Sequence, residues 1–307
     1  MIITIGAFDG FHLGHKILLD TCRNNAVNKN DWAVISFWPN PGIVTGKISG
    51  LLFDLEERNL IAQALNVPEI ITLNFDDALK NSSPENFWNM LKNKIHVTGL
   101  VLGKDFKFGF QRSGSAEKLA MLAKNDGVEK ILILELFDKQ NYSSSAARKF
   151  IINGKIKDAN KILGYPFFIY NHVIKGNQRG RTMNYPTANL NFSREKIIPS
   201  DGVYSAAVLV KGEWYCGAVS IGKNPTFGDI NNTRVEAHIL DFNEDIYGEK
   251  IGVFFLDKVR DLIKFDDKNS LAQQISHDLT TCTEIYKNEF NRFALSFEFG
   301  RAAGKFR

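Results

Sequence analysis

Residues 6–15 read GAFDGFHLGH, and this stretch decides how the first half of the chain folds. Before it stand Ile2, Ile3 and Ile5, a β-branched run typical of a buried strand, and after it the apolar residues 17–19 open a helix. The chain therefore passes from a strand, through a glycine-bearing loop, into a helix. Backbone N–H groups and the positive end of the helix dipole meet at such a junction, so the sequence predicts an anion-binding site here.

His12 and His15 stand at this junction, three residues apart, which places them on one face of a first helical turn. Two imidazoles in that position can hold the phosphates of a nucleotide and stabilise charge that develops on them. The alternative is that they are ordinary surface residues near a helix start. The strand before them and the glycines at Gly10 and Gly14 favour the phosphate-binding interpretation.

The first half of the chain alternates strands with helices. Its further apolar runs are nearly continuous, as in parallel strands that are covered on both faces, and they span residues 32–38, 69–75, 97–103 and 130–136. One helix between them is well marked, with Ser83 as its cap and Pro84 at its first position. The pattern predicts a doubly wound, Rossmann-like α/β domain over residues 1–160, with ligands at the carboxyl ends of its strands.

The second half, residues 161–307, has a different pattern. Four strands without helices between them are predicted at residues 203–210, 214–221, 234–242 and 251–256. Lys211-Gly212 makes a tight hairpin, and the set indicates a mainly antiparallel β-barrel. A helix closes the domain, with Ser270 and Gln273 expected to form its capping box. The tail 297–307 shows no pattern, and no role is predicted for it.

Composition narrows the class of protein. The net charge of +4 over 307 residues suits phosphate-bearing substrates and does not by itself argue for nucleic acid. Three widely spaced cysteines are typical of reduced thiols in the cytoplasm. We expect no leader, no membrane segment, and a monomer or weak homo-oligomer whose partners are small molecules.

Three further stretches carry residues suited to chemistry. Residues 143–145 are serines followed by Arg148, which is either a phosphate-binding helix start or a plain cap. Residues 175–181 form a basic loop, which alone would be a solvated turn or a weak RNA-binding patch. Thr187 and Asn189 follow Pro186 in an extended segment, on the same side, and their oxygens suit Mg²⁺.

The His12-Leu13-Gly14-His15 signature after Phe8-Asp9-Gly10 resembles the nucleotidyltransferase superfamily. With the Pro-Thr-Ala-Asn segment at 186–189 and Glu236 in a later strand, residues 2–290 resemble the bacterial bifunctional riboflavin kinase/FAD synthetase (FMN adenylyltransferase) family. The resemblance implies an enzyme that phosphorylates riboflavin with ATP to FMN, then adenylylates FMN with ATP to FAD and releases pyrophosphate. It also implies Mg²⁺ as a cofactor.

The same resemblance implies residue roles. His12 and His15 would be catalytic in the first domain, and Glu236 would be the general base in the second. The resemblance implies that ATP contacts a set of glycines, hydroxyls, cations and one aromatic ring, at Gly6, Phe8, Gly14, Ser144, Ser145, Arg148, Gly176, Arg179, Gly180 and Arg181. It implies Thr187 and Asn189 as metal ligands. It implies that the flavin contacts Asp105, Phe106, Phe108, Asn224, Thr226 and Arg260.

Several positions depart from the family's usual residues, among them Asn40, Ala146, Asn184 and Leu262. Two alternatives therefore stand beside the bifunctional interpretation. One is a riboflavin kinase with a weakened adenylyltransferase domain. The other is a non-catalytic regulator that binds flavin or RNA. Intact His12, His15, Thr187, Asn189 and Glu236 argue against the regulator.

Overall fold

The computed structural model describes residues 1–135, 142–176, 185–223 and 233–294. Contacts divide the chain into two compact units, Met1–Ser143 and Ser144–Arg307. Sequence patterns predicted a boundary after residue 160.

The first unit is built on a parallel sheet. Its strands are β1 (Ile2–Ile5), β2 (Trp32–Trp38), β3 (Ile70–Asn74), β4 (Gly99–Gly103), β5 (Lys107–Phe108), β6 (Gly114–Ser115) and β7 (Lys130–Leu134). Five of them form one sheet in the order β3-β2-β1-β4-β7, and every neighbouring pair in it is parallel. The predicted doubly wound α/β architecture is confirmed.

The helices of this unit are α1 (Leu13–Asn25), α2 (Pro41–Val44), α3 (Leu55–Ala64), α4 (Asp77–Lys80), α5 (Pro84–Lys94) and α6 (Ala116–Asn125). The predicted cap of α5 is confirmed, since the Ser83 hydroxyl accepts from the Asn86 N–H at 3.1 Å. Ile3, Ile5, Phe37 and Phe87 belong to one buried cluster that fixes helices against the sheet. The loops after β1, β2 and β4 leave the sheet at its carboxyl edge, because the strands are parallel.

The second unit begins with two helices and continues as a barrel. Its elements are α7 (Ser144–Ile152), α8 (Ile156–Leu163), β8 (Phe168–Ile174), β9 (Ala188–Leu190), β10 (Gly202–Val210), β11 (Glu213–Lys223), β12 (Thr233–Ile239), β13 (Lys250–Arg260) and α9 (Lys268–Ala294). The described strands close in the order β10-β11-β12-β9-β8-β13, with antiparallel neighbours. The predicted barrel is confirmed; β8 is an addition to the predicted strands, and β9 lies in the segment at Thr187 and Asn189 that was predicted to be extended.

Helix α8 packs on the barrel through one buried amide. Asn160 donates from Nδ2 to the Phe255 carbonyl at 2.9 Å and accepts from the Phe167 N–H at 2.8 Å. Lys157 Nζ lies 2.9 Å from Asp257 Oδ2 on β13. The boundary after residue 160 therefore falls inside a helix that binds the barrel, whereas contacts divide the chain before α7.

Two local features predicted for the second unit, a hairpin and a helix cap, had different outcomes. Lys211 and Gly212 have φ values of +49° and +92°, as the tight hairpin requires. The prediction of a capping box at Ser270 and Gln273 is wrong. The carboxylate of Asp267 accepts from the N–H groups of Asn269 at 2.8 Å and Ser270 at 2.9 Å, so the helix begins earlier, at Lys268.

Helix α9 is anchored to the barrel by Cys282, whose carbonyl accepts from the Ser205 hydroxyl at 2.9 Å. Within the part of the chain that the structure describes, no helix is long and apolar enough to cross a membrane.

Candidate active sites

The two histidines of the β1–α1 loop lie together, as their spacing predicts. The His12 ring caps α1 by accepting at Nδ1 from the His15 N–H, at 3.4 Å. The two rings stack with centroids 3.8 Å apart and planes 21° apart. Both imidazoles therefore lie at the N-terminal end of α1, where the helix dipole favours anions.

Two buried phenylalanines, Phe8 and Phe11, anchor this loop in the core. Phe8 and Phe11 are buried and have φ values of +46° and +38°, in a region that bulky residues rarely adopt. The Phe8 ring lies 4.6 Å from the His15 ring and 5.3 Å from Phe11. The structure places the Phe8 ring against the His15 ring. The predicted contact of Phe8 with ATP remains a prediction.

Gly14 leaves room for the His12 ring because it has no side chain. A Cβ atom there would lie 3.1 Å from His12 Nδ1 and 3.2 Å from the Tyr142 carbonyl oxygen. Gly6 is less crowded, with its nearest atom in the Phe8 ring at 3.2 Å. Any larger residue at position 14 would have to displace the His12 ring or the backbone at Tyr142.

Arg58 on α3 is a member of this site that the sequence did not reveal. Its side chain is 1% exposed, and its guanidinium donates to the Ser36 hydroxyl and to the Phe37 carbonyl at 3.3 Å. The Ser36 hydroxyl in turn donates to the Ala7 carbonyl at 3.1 Å, so Arg58 ties the end of β2 to the histidine loop. A lone arginine in an amphipathic helix is ordinarily solvent-facing, and the local sequence gave no sign of this burial.

Electrostatics keep His15 neutral. Its pKa lies well below the ordinary value, chiefly because burial disfavours the charged ring, and secondarily because His12 and the Arg58 cation act on it. Its Nδ1 is buried and has no hydrogen-bond partner among the described residues. A neutral imidazole with an unused nitrogen is suited to bind a ligand that brings its own donor or acceptor.

We expect Arg58→Met to raise the pKa of His15, because the substitution removes the cation and keeps much of the volume. The value should stay below that of an exposed histidine, since burial is the larger cause and persists. NMR titration of the histidine ring protons measures this. Arg23→Met is the matched control, because Arg23 also donates to a backbone carbonyl, of Leu65 at 2.7 Å, but at the far end of α1. An unchanged His15 titration in Arg58→Met would contradict this electrostatic assignment.

The loop after β2 carries Asn40, which caps α2 by accepting at Oδ1 from the Gly42 N–H at 2.8 Å. Its side chain is 3% exposed, and Nδ2 has no hydrogen-bond partner in the described part of the chain. Asn40, one of the departures from the family's usual residues, thus has a defined structural role at the carboxyl end of β2.

The residues predicted for the flavin of the first domain lie after β4. Asp105 is exposed, Phe106 is half-buried, and the Phe106 and Phe108 rings stack at 5.4 Å. Phe108 packs in the core, 4.9 Å from the Phe87 ring. The structure thus gives Phe108 a packing role, and the predicted flavin contacts of all three remain predictions.

The serine-rich stretch opens a helix, as predicted, since α7 starts at Ser144. Ser145 is exposed, and Arg148 is buried at 8% exposure. This helix belongs to the second unit by its contacts. The predicted ATP contacts of Ser144, Ser145 and Arg148 remain predictions.

In the barrel, Glu236 stands opposite Asn189. They are register partners on β12 and β9, and Ser220 of β11 is the partner of Glu236 on its other side. Val235 and Ala237 on either side of Glu236 are buried, so the half-buried Glu236 points away from the barrel interior. The predicted base and one predicted metal ligand therefore share a face of the sheet.

Asn189 is held against the backbone of Gly176. A Cβ at position 176 would lie 2.2 Å from Asn189 Nδ2, so only glycine leaves room for this amide. Asn189 itself is 8% exposed. Gly176, whose predicted ATP contact remains a prediction, thus leaves the space that the side chain of a predicted metal ligand occupies.

A cavity of about 590 Å³ opens beside this segment. It is lined by residues 186–188 and 242–247, and by Val173, Ala237 and Ile239. Its size is that of a small-molecule site. Thr187 lines this cavity and lies two residues before Asn189, the register partner of Glu236; Glu236 itself is not among the lining residues.

Among the described residues, Arg260 is the remaining predicted site residue of the barrel. Arg260 forms a two-pronged pair with Asp278 on α9, with nitrogen-to-oxygen distances of 2.7 to 3.1 Å. Its predicted flavin contact remains a prediction. Five further residues lie outside the described residues: Arg179, Gly180, Arg181, Asn224 and Thr226.

A family model for FAD synthetase matches residues 1–147, and one for riboflavin kinase matches residues 163–286. The fold and these two matches together define a transferase with two nucleotide-dependent activities. The chain belongs to the bifunctional riboflavin kinase/FMN adenylyltransferase family.

Individual relatives extend over nearly the whole chain. A bifunctional riboflavin kinase/FMN adenylyltransferase of Listeria monocytogenes is 33% identical over 286 residues, covering 90% of each chain. One of Haemophilus influenzae is 34% identical over 296 residues, covering 93% of this chain and 94% of its own. A crystal structure from Streptococcus pneumoniae, described as a macrolide-efflux protein, has a TM-score of 0.81 and 32% identity, and covers 92% of this chain and 93% of its own. That structure shares the fold described above.

Proposed function

We infer that this chain phosphorylates riboflavin with ATP to FMN, and then adenylylates FMN with a second ATP to FAD. The observation that carries this conclusion is that each unit holds its own set of reactive side chains. The stacked histidines lie at the N-terminus of α1, and Glu236 lies opposite Asn189 in the barrel. Each unit also matches its own family model, which disfavours both a kinase alone and a non-catalytic regulator.

Adenylyl transfer requires alignment more than covalent work by the protein. A phosphate oxygen of FMN attacks the α-phosphorus of ATP, and the bond to pyrophosphate breaks. We assign the triphosphate to the N-terminal end of α1. There, the neutral His15 ring and its neighbour His12 bind phosphate oxygens, and Gly14 leaves room for the His12 ring. The left-handed backbone at Phe8 and Phe11 fixes the loop before substrate arrives.

Riboflavin phosphorylation requires ATP and riboflavin to meet at the segment 186–189. We place ATP in the cavity, with its γ-phosphate reaching Thr187 and Asn189, and riboflavin beside Glu236, the register partner of Asn189. The Glu236 carboxylate accepts the proton of the ribityl hydroxyl as that oxygen attacks the γ-phosphorus, and ADP leaves. Thr187 lines the cavity and is two residues from the register partner of Glu236, which supports this arrangement.

Mg²⁺ fits the donors that the barrel offers. The Thr187 hydroxyl and the Asn189 side-chain carbonyl are neutral oxygens, and the Asn189 amide lies against the backbone of Gly176. Two protein donors suit an ion that keeps several waters and binds through phosphates. When bound, Mg²⁺ would neutralise phosphate charge; the protein itself contributes the orientation of these two side chains.

We expect Thr187→Val combined with Asn189→Leu to abolish Mg²⁺-dependent phosphorylation of riboflavin, because both oxygen donors are lost. Adenylylation of supplied FMN should remain, since the first unit is unchanged. Rates of FMN formation and of FAD formation from FMN, at several Mg²⁺ concentrations, measure this. Thr280→Val on the exposed face of α9 is the control and should leave both rates unchanged. Equal loss of both activities with an unchanged melting curve would refute a separate metal site.

Incubation of the protein with riboflavin, ATP and Mg²⁺, with chromatographic separation of the flavins over time, tests the proposed function. We expect FMN to appear first and FAD to follow. FMN without FAD would support the kinase-only alternative. Unchanged riboflavin would contradict both the bifunctional assignment and the kinase-only alternative, because each requires riboflavin to be phosphorylated.

We further propose a cytoplasmic enzyme, monomeric or weakly homo-oligomeric, whose partners are small molecules and not nucleic acid. Its cysteines support a reducing compartment. Cys22 and Cys282 are free and buried, and burial raises the pKa of each to about 12. Such thiols are unreactive and need no disulfide partner.

A further inference from the structure

The segment that carries Thr187 is only partly held by the sheet. In the described residues, β9 and β12 pair at two positions, Asn189 with Glu236 and Ala188 with Ala237. The ladder stops there, before it reaches Thr187. Backbone pairing with β12 therefore fixes Asn189 and leaves the orientation of Thr187 to another contact.

His238 supplies that contact. It stands two residues after Glu236, on the same face of β12, and its Nδ1 lies 2.8 Å from the Pro186 carbonyl oxygen. Because a carbonyl can only accept, the proton of the bond belongs to Nδ1. The Tyr185 ring meets the imidazole edge-on, with centroids 5.6 Å apart and planes 84° apart, so the ring is held in this orientation.

The bond acts on the peptide group that joins Pro186 to Thr187. That group is planar, so fixing its oxygen also fixes the N–H and the start of the Thr187 residue. Thr187 and Pro186 both line the cavity. A small rotation of this peptide would move the Thr187 hydroxyl away from the position that a bound triphosphate requires.

We propose that His238 is a positioning residue for riboflavin phosphorylation, which holds the Pro186 carbonyl and thereby aims the Thr187 hydroxyl into the cavity. The proposal rests on the proposed function, in which Thr187 binds at the phosphates of ATP. His238 contacts neither the phosphates nor the ribityl hydroxyl in this arrangement. Its role depends on a hydrogen-bond donor at the position of Nδ1.

Two substitutions separate that donor from the rest of the side chain. In His238→Asn, the amide nitrogen occupies the place of Nδ1 and can still donate to Pro186. In His238→Gln, the amide lies one bond further out, at the place of Nε2, and the donor at Nδ1 is lost. His277→Gln is the matched control, because His277 is exposed on α9.

We expect His238→Gln to lower kcat/KM for ATP in FMN formation about five- to tenfold, the effect of one hydrogen bond, and to raise the Mg²⁺ concentration for half-maximal rate. His238→Asn should retain most of the wild-type value, and His277→Gln all of it. FAD formation from supplied FMN, measured on the same samples, should be unchanged in every variant. A merely structural residue would not shift the Mg²⁺ requirement while the melting temperature stays constant.

Equal behaviour of His238→Asn and His238→Gln, whether both active or both impaired, would overturn the proposal, since only one of them keeps the donor. A wild-type Mg²⁺ requirement in His238→Gln would also overturn it. Failure of the proposed function is seen separately, because the wild-type protein would then make no FMN from riboflavin before any variant is compared.

Discussion

His12→Ala combined with His15→Ala should stop FAD formation from FMN and ATP, with a loss of about a thousandfold or more. Each imidazole is expected to stabilise charge on the phosphates, and removal of one such preorganised group commonly costs about 10²–10³ in rate. The stacked arrangement, with centroids 3.8 Å apart, means that the two rings act on the same small region. Nothing in the barrel replaces them in the assigned mechanism.

The same double variant should still convert riboflavin to FMN at the wild-type rate. That retained activity shows that the second unit is folded, and circular dichroism with a melting curve reports on the first. His96→Ala is the control in the first unit, since this histidine is exposed and follows the core position Ile95. Wild-type FAD formation by the double variant would remove the histidines from catalysis.

Glu236→Gln should reduce FMN formation from riboflavin about 10²–10⁴-fold, because an amide cannot accept the proton of the ribityl hydroxyl and this is the usual contribution of a general base. The change is nearly isosteric, so the register of Glu236 with Asn189 and Ser220 should persist. Initial rates at saturating ATP, with kcat separated from KM, measure the loss.

Glu213→Gln is the matched control, at an exposed position on the neighbouring strand β11. Adenylylation of supplied FMN should be normal in both glutamine variants. FMN formation that survives Glu236→Gln undiminished would mean that another group, or solvent, accepts the proton.

Sequence patterns predicted correctly those elements that depend on residues close together in the sequence. The run 32–38 coincides with β2, because the strand is buried along its length and ends before Pro39. The Ser83 cap and the hairpin at Lys211 and Gly212 also depend on neighbouring residues alone. The histidine pair was found for the same reason, since a strand, a glycine loop and a helix follow each other in the sequence.

Long-range contacts decided what the sequence did not predict. Strand β8, Phe168–Ile174, was not predicted, and its partners β9 and β13 lie later in the chain. Arg58 is buried because Ser36 and Phe37, far away in the sequence, accept its hydrogen bonds. Asn160 joins α8 to β13 across nearly a hundred residues, which composition alone does not show.

The error at the last helix has a different origin. Ser270 and Gln273 have the spacing of a capping box, but Asp267 comes first along the chain, and its carboxylate takes the free N–H groups. A carboxylate accepts these bonds at least as well as a hydroxyl does and interacts favourably with the helix dipole. The serine hydroxyl then donates to Asp267 instead of capping the helix.

The central claim is that one chain carries two centres that work through separate residues. A mixture of two variants, each of which lacks one of the two activities, tests this claim most directly. His12→Ala with His15→Ala should make only FMN from riboflavin, and Glu236→Gln should make almost no flavin nucleotide from it. Mixed in equal amounts with riboflavin, ATP and Mg²⁺, they should produce FAD, because FMN released by the first protein is adenylylated by the second. A mixture that accumulates FMN without FAD, while Glu236→Gln still adenylylates supplied FMN at the same concentration, would contradict the account.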